Sequence, residues 1–146
     1  MTYLLDTNVI SEVRKRRPDI HVAAFFAQAE SAELFISVLT IGEIRTGVER
    51  LRRKDEDQAN VIDQWLAGLC ESYAGRIIHL DADIAHEWGR LNVPDPLPVI
   101  DGLLAATARV RGWTLVTRNV ADFSRCDVRL LNPFQTAHAG PDMGPA

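Results

Sequence analysis

The chain has 146 residues, and its 16 basic and 20 acidic side chains leave a formal net charge of −4. This length suits one domain of roughly 100 to 150 residues, and a hydrophobic share of 47% is that of an ordinary globular protein. The acidic balance disfavours a protein that only binds nucleic acid statically, because such affinity comes from lysine and arginine side chains on phosphates. An enzyme that acts on nucleic acid is not excluded.

No apolar run approaches the roughly 18 residues of a membrane span. Asp6 interrupts the first apolar segment before the core of a signal peptide can form. We therefore expect a cytoplasmic protein with no membrane contact. Cys70 and Cys126 lie far apart and outside any metal-binding pattern, which disfavours a disulfide scaffold and a structural zinc site.

Short apolar segments alternate with longer segments of helical periodicity along the chain. The predicted strands are 3–5, 34–37, 76–80, 114–117 and 128–131. The predicted helices are 9–16, 21–29, 40–51, 58–73, 84–91 and 99–111. Such alternation indicates the α/β class, with a parallel sheet covered on both faces. We predict one domain over residues 1–134 and a flexible tail over 135–146, which is rich in alanine, glycine and proline.

Acidic or amide side chains follow the first, second and fourth predicted strands. Another lies in the first turn of the predicted helix 99–111, which precedes the fourth strand. They are Asp6, Glu43, Asp101, Asn119 and Asp122. Because parallel strands bring their carboxyl ends to one edge of a sheet, we expect these side chains to gather there.

Each of these residues also has a purely structural interpretation. Asp6, Thr7 and Asn8 are all good helix N-caps. Thr40 and Glu43 have the spacing of a capping box. Asp101 is alternatively explained as a negative charge that complements a helix dipole. Asp122 is alternatively explained as the cap of a turn.

Asp101 fits the structural interpretation less well than the others. It precedes Leu104, Ala105 and Ala108 by three, four and seven residues, so it lies at the top of a partly apolar stripe. A charge there is costly unless something compensates it. A cluster of carboxylates repels itself, so a cation is the natural ligand.

Oxygen donors favour Mg²⁺ or Mn²⁺. The four histidines show no metal-binding spacing; they are His21, His79, His86 and His138.

Four segments, 4–11, 36–44, 100–108 and 115–123, resemble the successive motifs of PIN-domain ribonucleases. Within these ribonucleases, the segments resemble the VapC toxins of bacterial toxin–antitoxin pairs, in the branch that includes FitB-like proteins. It covers about residues 2–134. The resemblance implies a PIN-like α/β/α sandwich with a five-stranded parallel sheet. It also implies an acidic Mg²⁺ or Mn²⁺ pocket that cleaves RNA, with Asp6, Glu43 and Asp101 as the central metal ligands.

The fourth acidic position of the implied pocket departs from the family pattern. Family members place an acid or an asparagine at the position of Asn119 and an acid at that of Asp122, whereas here only Asp122 is acidic. We expect Asp122 to supply charge while Asn119 and Thr117 position it. One or two metal ions are both compatible with this set. The supporting residues are expected to be Thr7, Asn8, Thr117 and Asn119.

The chemistry expected of this pocket is hydrolysis of a phosphodiester by a metal-activated water. Candidate side chains for the flanking phosphates are Arg14, Arg16, Arg17 and Arg118. Glu12 and Arg16 have i,i+4 spacing, so an ion pair on a solvent-facing helix surface is the alternative for that arginine.

A phosphatase with an aspartate nucleophile is disfavoured, because Asn8 stands where its second aspartate would be and neither Lys15 nor Lys54 follows a strand. The second alternative is a PIN-fold binding module that acts mainly in a DNA-binding repressor complex with a partner protein.

The resemblance also implies partners. They are an antitoxin of the VapB kind, an RNA substrate and a second copy in a homodimer or a larger toxin–antitoxin assembly, with DNA contacted only through the antitoxin. The candidate interface is an apolar helical stripe, for which core packing is the alternative; it comprises Val61, Ile62, Trp65, Leu66 and Leu69.

Overall fold

A computed structural model describes residues 1–135, in which five parallel strands form one sheet with the order β3-β2-β1-β4-β5. The strands are β1 (Tyr3–Leu5), β2 (Leu34–Ser37), β3 (Ile77–Ile78), β4 (Thr114–Val116) and β5 (Leu130–Leu131). The helices are α1 (Thr7–Val13), α2 (Ile20–Gln28), α3 (Val38–Arg52), α4 (Glu56–Ser72), α5 (Ala82–Leu91) and α6 (Val99–Arg111). Short 3₁₀ segments occupy Ser31–Glu33 and Val120–Cys126. The predicted α/β fold is confirmed, and beyond Gln135 the predicted tail lies outside the described residues.

The sheet has a hydrophobic core on each face. Neighbouring residues of a strand point to opposite faces. Leu5 and Val116 therefore pack with α1, α3 and α4, whereas Leu4 and Leu115 pack with α6. All four side chains are fully buried. This arrangement is the expected α/β/α sandwich.

The α4 stripe belongs mainly to the first of these cores. Leu66 and Leu69 are buried, and Ile62 and Trp65 pack against them, while Val61 is 59% exposed. Core packing therefore accounts for four of the five residues. No helix in the described part of the chain is long and apolar enough to cross a membrane.

Most element boundaries differ from the predictions by one to three residues; for example, α1 covers Thr7–Val13 rather than 9–16, and β5 covers Leu130–Leu131 rather than 128–131. Helix α3 begins at Val38 rather than Thr40, because the Ser37 side chain accepts a hydrogen bond from the Leu39 N–H and caps the helix directly after β2. Strand β3 has two residues rather than five, and it lies at the sheet edge with β2 as its neighbour.

The strand order creates a switch point beside β1. The chain passes from β1 to β2 on one side and later inserts β4 on the other. A crevice therefore opens beyond the carboxyl ends of β1 and β4, the usual place for ligands in an open parallel sheet.

Candidate functional site

Asp6 lies at this switch point and is almost completely buried, with 6% of its surface exposed. Its backbone N–H donates to Val116 O at 2.9 Å, which fixes it beside β4. Its carboxylate accepts hydrogen bonds from the Thr7 N–H and the Thr117 hydroxyl, both at 2.7 Å. Burial raises the pKa of Asp6, and these hydrogen bonds offset part of that rise. Asp6 is thus both the N-cap of α1 and a buried acid facing the crevice.

Glu43 reaches toward the same crevice from the second turn of α3. Its Oε1 accepts a hydrogen bond from Thr7 Oγ1 at 2.5 Å, and Thr7 Oγ1 lies 3.2 Å from Thr40 Oγ1. The capping-box interpretation of Thr40 and Glu43 is wrong, because Ser37 caps α3 and Thr40 lies inside the helix. Thr7 therefore links Asp6 and Glu43, through its N–H to the first and its hydroxyl to the second.

Asp101 is half-buried in the first turn of α6, where Pro98 is the N-cap and makes no side-chain hydrogen bond. Burial raises the pKa of Asp101, and the charges of Asp6, Glu43 and Asp122 raise it further. Asp6, Glu43 and Asp122, which lie on different parts of the chain, are therefore all within electrostatic reach of Asp101. Leu104, Ala105 and Ala108 below Asp101 are fully buried, as the apolar stripe predicts.

Asp122 is exposed and lies in the first turn of the 3₁₀ segment that follows β4. Its N–H donates to Asn119 O at 3.0 Å, and the Asn119 N–H donates to Thr117 Oγ1 at 3.1 Å. Since the Thr117 hydroxyl also donates to Asp6, Thr117 connects the Asp122 segment to β1. Asn8 completes this side of the crevice, with its Nδ2 3.4 Å from Asp6 Oδ2.

The four acids share one edge of the sheet without forming a closed cage. Among residues 1–135, no three histidine, cysteine, aspartate or glutamate side chains lie close enough together to hold one ion as they stand. Asp6 and Glu43 are instead held by hydroxyl and amide donors. The donors available to a cation at this edge are all oxygens.

The four candidate arginines divide into two groups. Arg14, Arg16 and Arg17 are exposed on the connection between α1 and α2, and a helix of about 10 Å separates them from Asp6. Arg118 directly follows Thr117, at the crevice itself.

The ion pair suggested by the spacing of Glu12 and Arg16 is not formed in the described structure. Glu12 pairs with Lys15 at 2.9 Å and accepts the Asp19 N–H at 2.8 Å instead. Glu12 thereby fixes the connection on which Arg14, Arg16 and Arg17 lie.

Comparison with known proteins identifies the family. Residues 3–128 match the family model of the PIN domain. The chain belongs to the PIN-domain family.

Relatives and solved structures agree with this assignment. Toxin FitB of Neisseria gonorrhoeae is 31% identical over 137 residues, which cover 90% of this chain and 97% of that protein. VapC ribonuclease Y4jK of Sinorhizobium fredii is 30% identical, with 92% of this chain and 99% of the relative covered. A solved structure of FitAB bound to the IR36 DNA fragment is 29% identical and superposes with a TM-score of 0.84, covering 95% of this chain and 100% of that one.

One packing contact in this PIN domain bears on the position of Asp101. Gly102 is buried against α5, and a Cβ at that position would lie 3.1 Å from Trp88 Cδ1. The Trp88 Nε1 is buried and has no hydrogen-bond partner among residues 1–135. The glycine therefore allows the first turn of α6 to approach the indole closely.

Sequence reasoning missed a second group of residues beside the crevice. Asn132 Nδ2 lies 3.4 Å from Arg118 O, and the Asn132 Oδ1 accepts the Phe134 N–H at 3.0 Å. The segment 132–134 follows the last predicted strand, and its only sequence signal was an Asn-Pro turn before the tail. Its contact with the β4 end depends on the pairing of β4 with β5, which no local pattern reveals.

Proposed function

We propose that this PIN domain is a metal-dependent endoribonuclease, the toxin of a toxin–antitoxin pair. The observation that carries the proposal is the convergence of Asp6, Glu43, Asp101 and Asp122 at the switch point of the sheet, expressed in the raised pKa of Asp101. The names of two relatives, Toxin FitB and VapC ribonuclease Y4jK, support the toxin role and RNA as the substrate.

The donor set fits a hard divalent cation. All four acids offer carboxylate oxygens, and such ligands suit Mg²⁺ or Mn²⁺. We assign Asp6, Glu43, Asp101 and Asp122 to hold it. When bound, the ion supplies a water-derived nucleophile at neutral pH and stabilises charge on the phosphate and on the leaving oxygen.

The neighbouring residues hold the acids in place. Thr117 holds Asp6 through a hydroxyl donor at 2.7 Å, and Thr7 holds Glu43 through another at 2.5 Å. Asn8 Oδ1 accepts the Arg118 N–H, and the Asn119 N–H donates to Thr117 Oγ1. Without a cation, four carboxylates repel a phosphodiester. Positive charge at this edge therefore strengthens the binding of RNA.

Cleavage of RNA with Mg²⁺ or Mn²⁺, compared with EDTA, tests this proposal. Asp6→Asn and Asp101→Asn should each remove most of the turnover and leave the circular dichroism spectrum unchanged. Asp83→Asn is the matched control, because Asp83 also lies in the first turn of a helix but is exposed on α5. Cleavage by either site variant at nearly the wild-type rate would refute the site assignment.

A second candidate function is favoured by the likeness to FitAB bound to DNA. In this alternative the PIN domain acts mainly in a repressor complex, where an antitoxin contacts the DNA and the toxin assembles as a homodimer or a larger complex. The net charge of −4 disfavours direct DNA contact by this chain. A folded protein that cleaves no RNA with either metal would favour the repressor role, and the two roles are compatible.

A further inference from the structure

Arg118 makes a side-chain contact that the proposed chemistry leaves unused. Its guanidinium carbon lies 4.3 Å from the centroid of the Phe134 ring. A cation at this distance over an aromatic face is held by the ring quadrupole. We propose that Arg118 and Phe134 form an anion subsite that binds a phosphate of the RNA strand beside the acidic crevice. This inference rests on the proposed ribonuclease function.

The backbone around this pair is fixed from both sides. The Arg118 N–H lies 3.4 Å from Asn8 Oδ1, and its carbonyl lies 3.4 Å from Asn132 Nδ2. The Asn132 Oδ1 in turn accepts the Phe134 N–H at 3.0 Å. Asn132 therefore holds the arginine backbone and the phenylalanine that supports the arginine side chain. Phe134 is itself partly buried against the core on the α1 and α3 face.

The guanidinium of Arg118 is uncommitted, unlike that of most arginines in this protein. Within residues 1–135 its side chain forms no ion pair and donates no hydrogen bond. Five other arginines pair with carboxylates; they are Arg45, Arg52, Arg90, Arg109 and Arg111. Three more donate to backbone carbonyls; they are Arg76, Arg125 and Arg129. Stacking on Phe134 orients the Arg118 guanidinium and leaves its N–H donors available to bind a ligand.

The position of Arg118 indicates which ligand its guanidinium group binds. It is exposed and directly follows Thr117, whose hydroxyl donates to Asp6. The guanidinium geometry suits two oxygens of one phosphate. When the scissile phosphate of an RNA strand lies over the acids, the neighbouring phosphates of that RNA lie close to the same edge of the sheet. The subsite thus supplies positive charge next to a negatively charged crevice.

Binding of a fluorescein-labelled single-stranded RNA to the full chain in EDTA measures the subsite without cleavage. Arg118→Ala should weaken binding about tenfold, the order expected for a lost charge-assisted contact. It should also reduce the slope of log affinity against log salt by about 0.7, the value for one phosphate contact on a single strand. Arg118→Lys keeps the charge and should keep the slope while affinity falls.

Arg50→Ala is the matched control, because Arg50 is exposed, forms no ion pair among residues 1–135 and lies about 18 Å along α3 from Val38. It should change neither affinity nor slope. Phe134→Leu should weaken RNA binding in wild type but have no further effect in Arg118→Ala, since the ring acts through the arginine. Urea unfolding of Phe134→Leu checks that the fold is retained.

Three results would overturn the inference. The first is an Arg118→Ala variant that binds RNA as tightly as Arg50→Ala does. The second is that the effects of the Phe134 and Arg118 substitutions on RNA affinity add. The third is that binding of a polyglutamate peptide depends on Arg118 as strongly as binding of RNA does, which would reveal a general site for anions or acidic proteins. The ribonuclease proposal is judged separately, by wild-type cleavage with Mg²⁺ or Mn²⁺. RNA binding that depends on Arg118 in a protein that never cleaves would leave the subsite standing and remove the catalytic function.

Discussion

Thr117 shows how much of the candidate site depends on one hydroxyl group. The residue is completely buried, and its Oγ1 both donates to Asp6 Oδ2 and accepts the Asn119 N–H. A hydroxyl has one proton and two lone pairs, so it is suited to both contacts at once. Valine has nearly the same shape and offers neither.

We predict that Thr117→Val lowers the free energy of unfolding by about 1–3 kcal/mol, because it leaves a buried carboxylate oxygen without its donor. The hydrogen bond from Thr117 lowers the pKa of Asp6, so its loss should raise that pKa further. If Asp6 acts in its ionised form, the acidic limb of the pH profile of RNA cleavage moves to higher pH. Thr117→Ser keeps the hydroxyl and should resemble wild type. Superimposable profiles for Thr117→Val and wild type would contradict this role.

At the scale of elements, Arg109 joins three parts of the molecule. From α6 it pairs with Glu87 of α5 at 2.7 Å, and its Nη1 donates to the carbonyls of Cys126 and Asp127 at 2.9 and 2.7 Å. Those carbonyls end the 3₁₀ segment that begins near Asp122. Arg109 therefore fixes the Asp122 segment against the helix that carries Asp101.

We predict that Arg109→Met destabilises the protein by roughly 1–3 kcal/mol at neutral pH, measured by urea unfolding, because Glu87 loses one of its two arginine donors and the carbonyls of Cys126 and Asp127 lose theirs. The hydrogen bond from Arg109 holds the pKa of Glu87 below its usual range. A depressed carboxyl pKa contributes stability above the unfolded value of about 4 and loses it as pH falls through the folded value. The difference between wild type and variant should therefore shrink in acid.

Arg90→Met is the control for this pair. Arg90 contacts the same Glu87 at 3.1 Å, but its side chain is 70% exposed. Exposed ion pairs contribute only about 0–1 kcal/mol. An effect of Arg90→Met as large as that of Arg109→Met would show that the carbonyl contacts of Arg109 matter little.

Hydrophobic periodicity predicted the longer elements because their burial follows a simple repeat. Ile44 and Val48 on α3, and Leu104 on α6, are buried as their spacing indicates. The acids were found for a related reason, since parallel strands bring their ends to one edge. The predicted start of α3 at Thr40 is wrong, because Ser37 ends β2 and caps the helix at the same time.

The sequence predicts far less about what surrounds the acids. Thr117 and Asp6 meet across 111 positions of chain, and Asn132 meets Arg118 across 14. The spacing of Thr40 and Glu43 favoured a local capping contact, but the contact actually formed joins α1 and α3 through Thr7. Local patterns predict which residues face an edge, whereas the partners at that edge depend on how the strands are ordered.

For the whole molecule, we predict that the carboxylates at this edge of the sheet lower the stability when no cation is present. Burial and the neighbouring charges raise the pKa of Asp101, and burial raises that of Asp6. A raised carboxyl pKa favours the folded state below the unfolded value of about 4, and this contribution is lost as pH rises through the folded value. The melting temperature in EDTA should therefore fall as pH rises through that interval.

Asp101→Asn should melt at a higher temperature than wild type in EDTA near neutral pH, because one of the four repelling charges is gone. Mg²⁺ should stabilise wild type by an amount that grows with its concentration relative to the dissociation constant, and should stabilise the variant less. Thermal unfolding with and without Mg²⁺ measures both effects. A variant that melts lower in EDTA, with equal gains from Mg²⁺ in both proteins, would identify Asp101 as a structural cap.

The contact between Trp88 and Gly102 provides an intrinsic optical probe of this edge. The indole lies directly against the residue after Asp101, so a shift of the first turn of α6 changes its surroundings. The two other tryptophans, Trp65 and Trp113, lie on α4 and immediately before β4. The part of the emission spectrum that disappears in Trp88→Phe therefore reports, without any label, how the candidate site responds to its ligands.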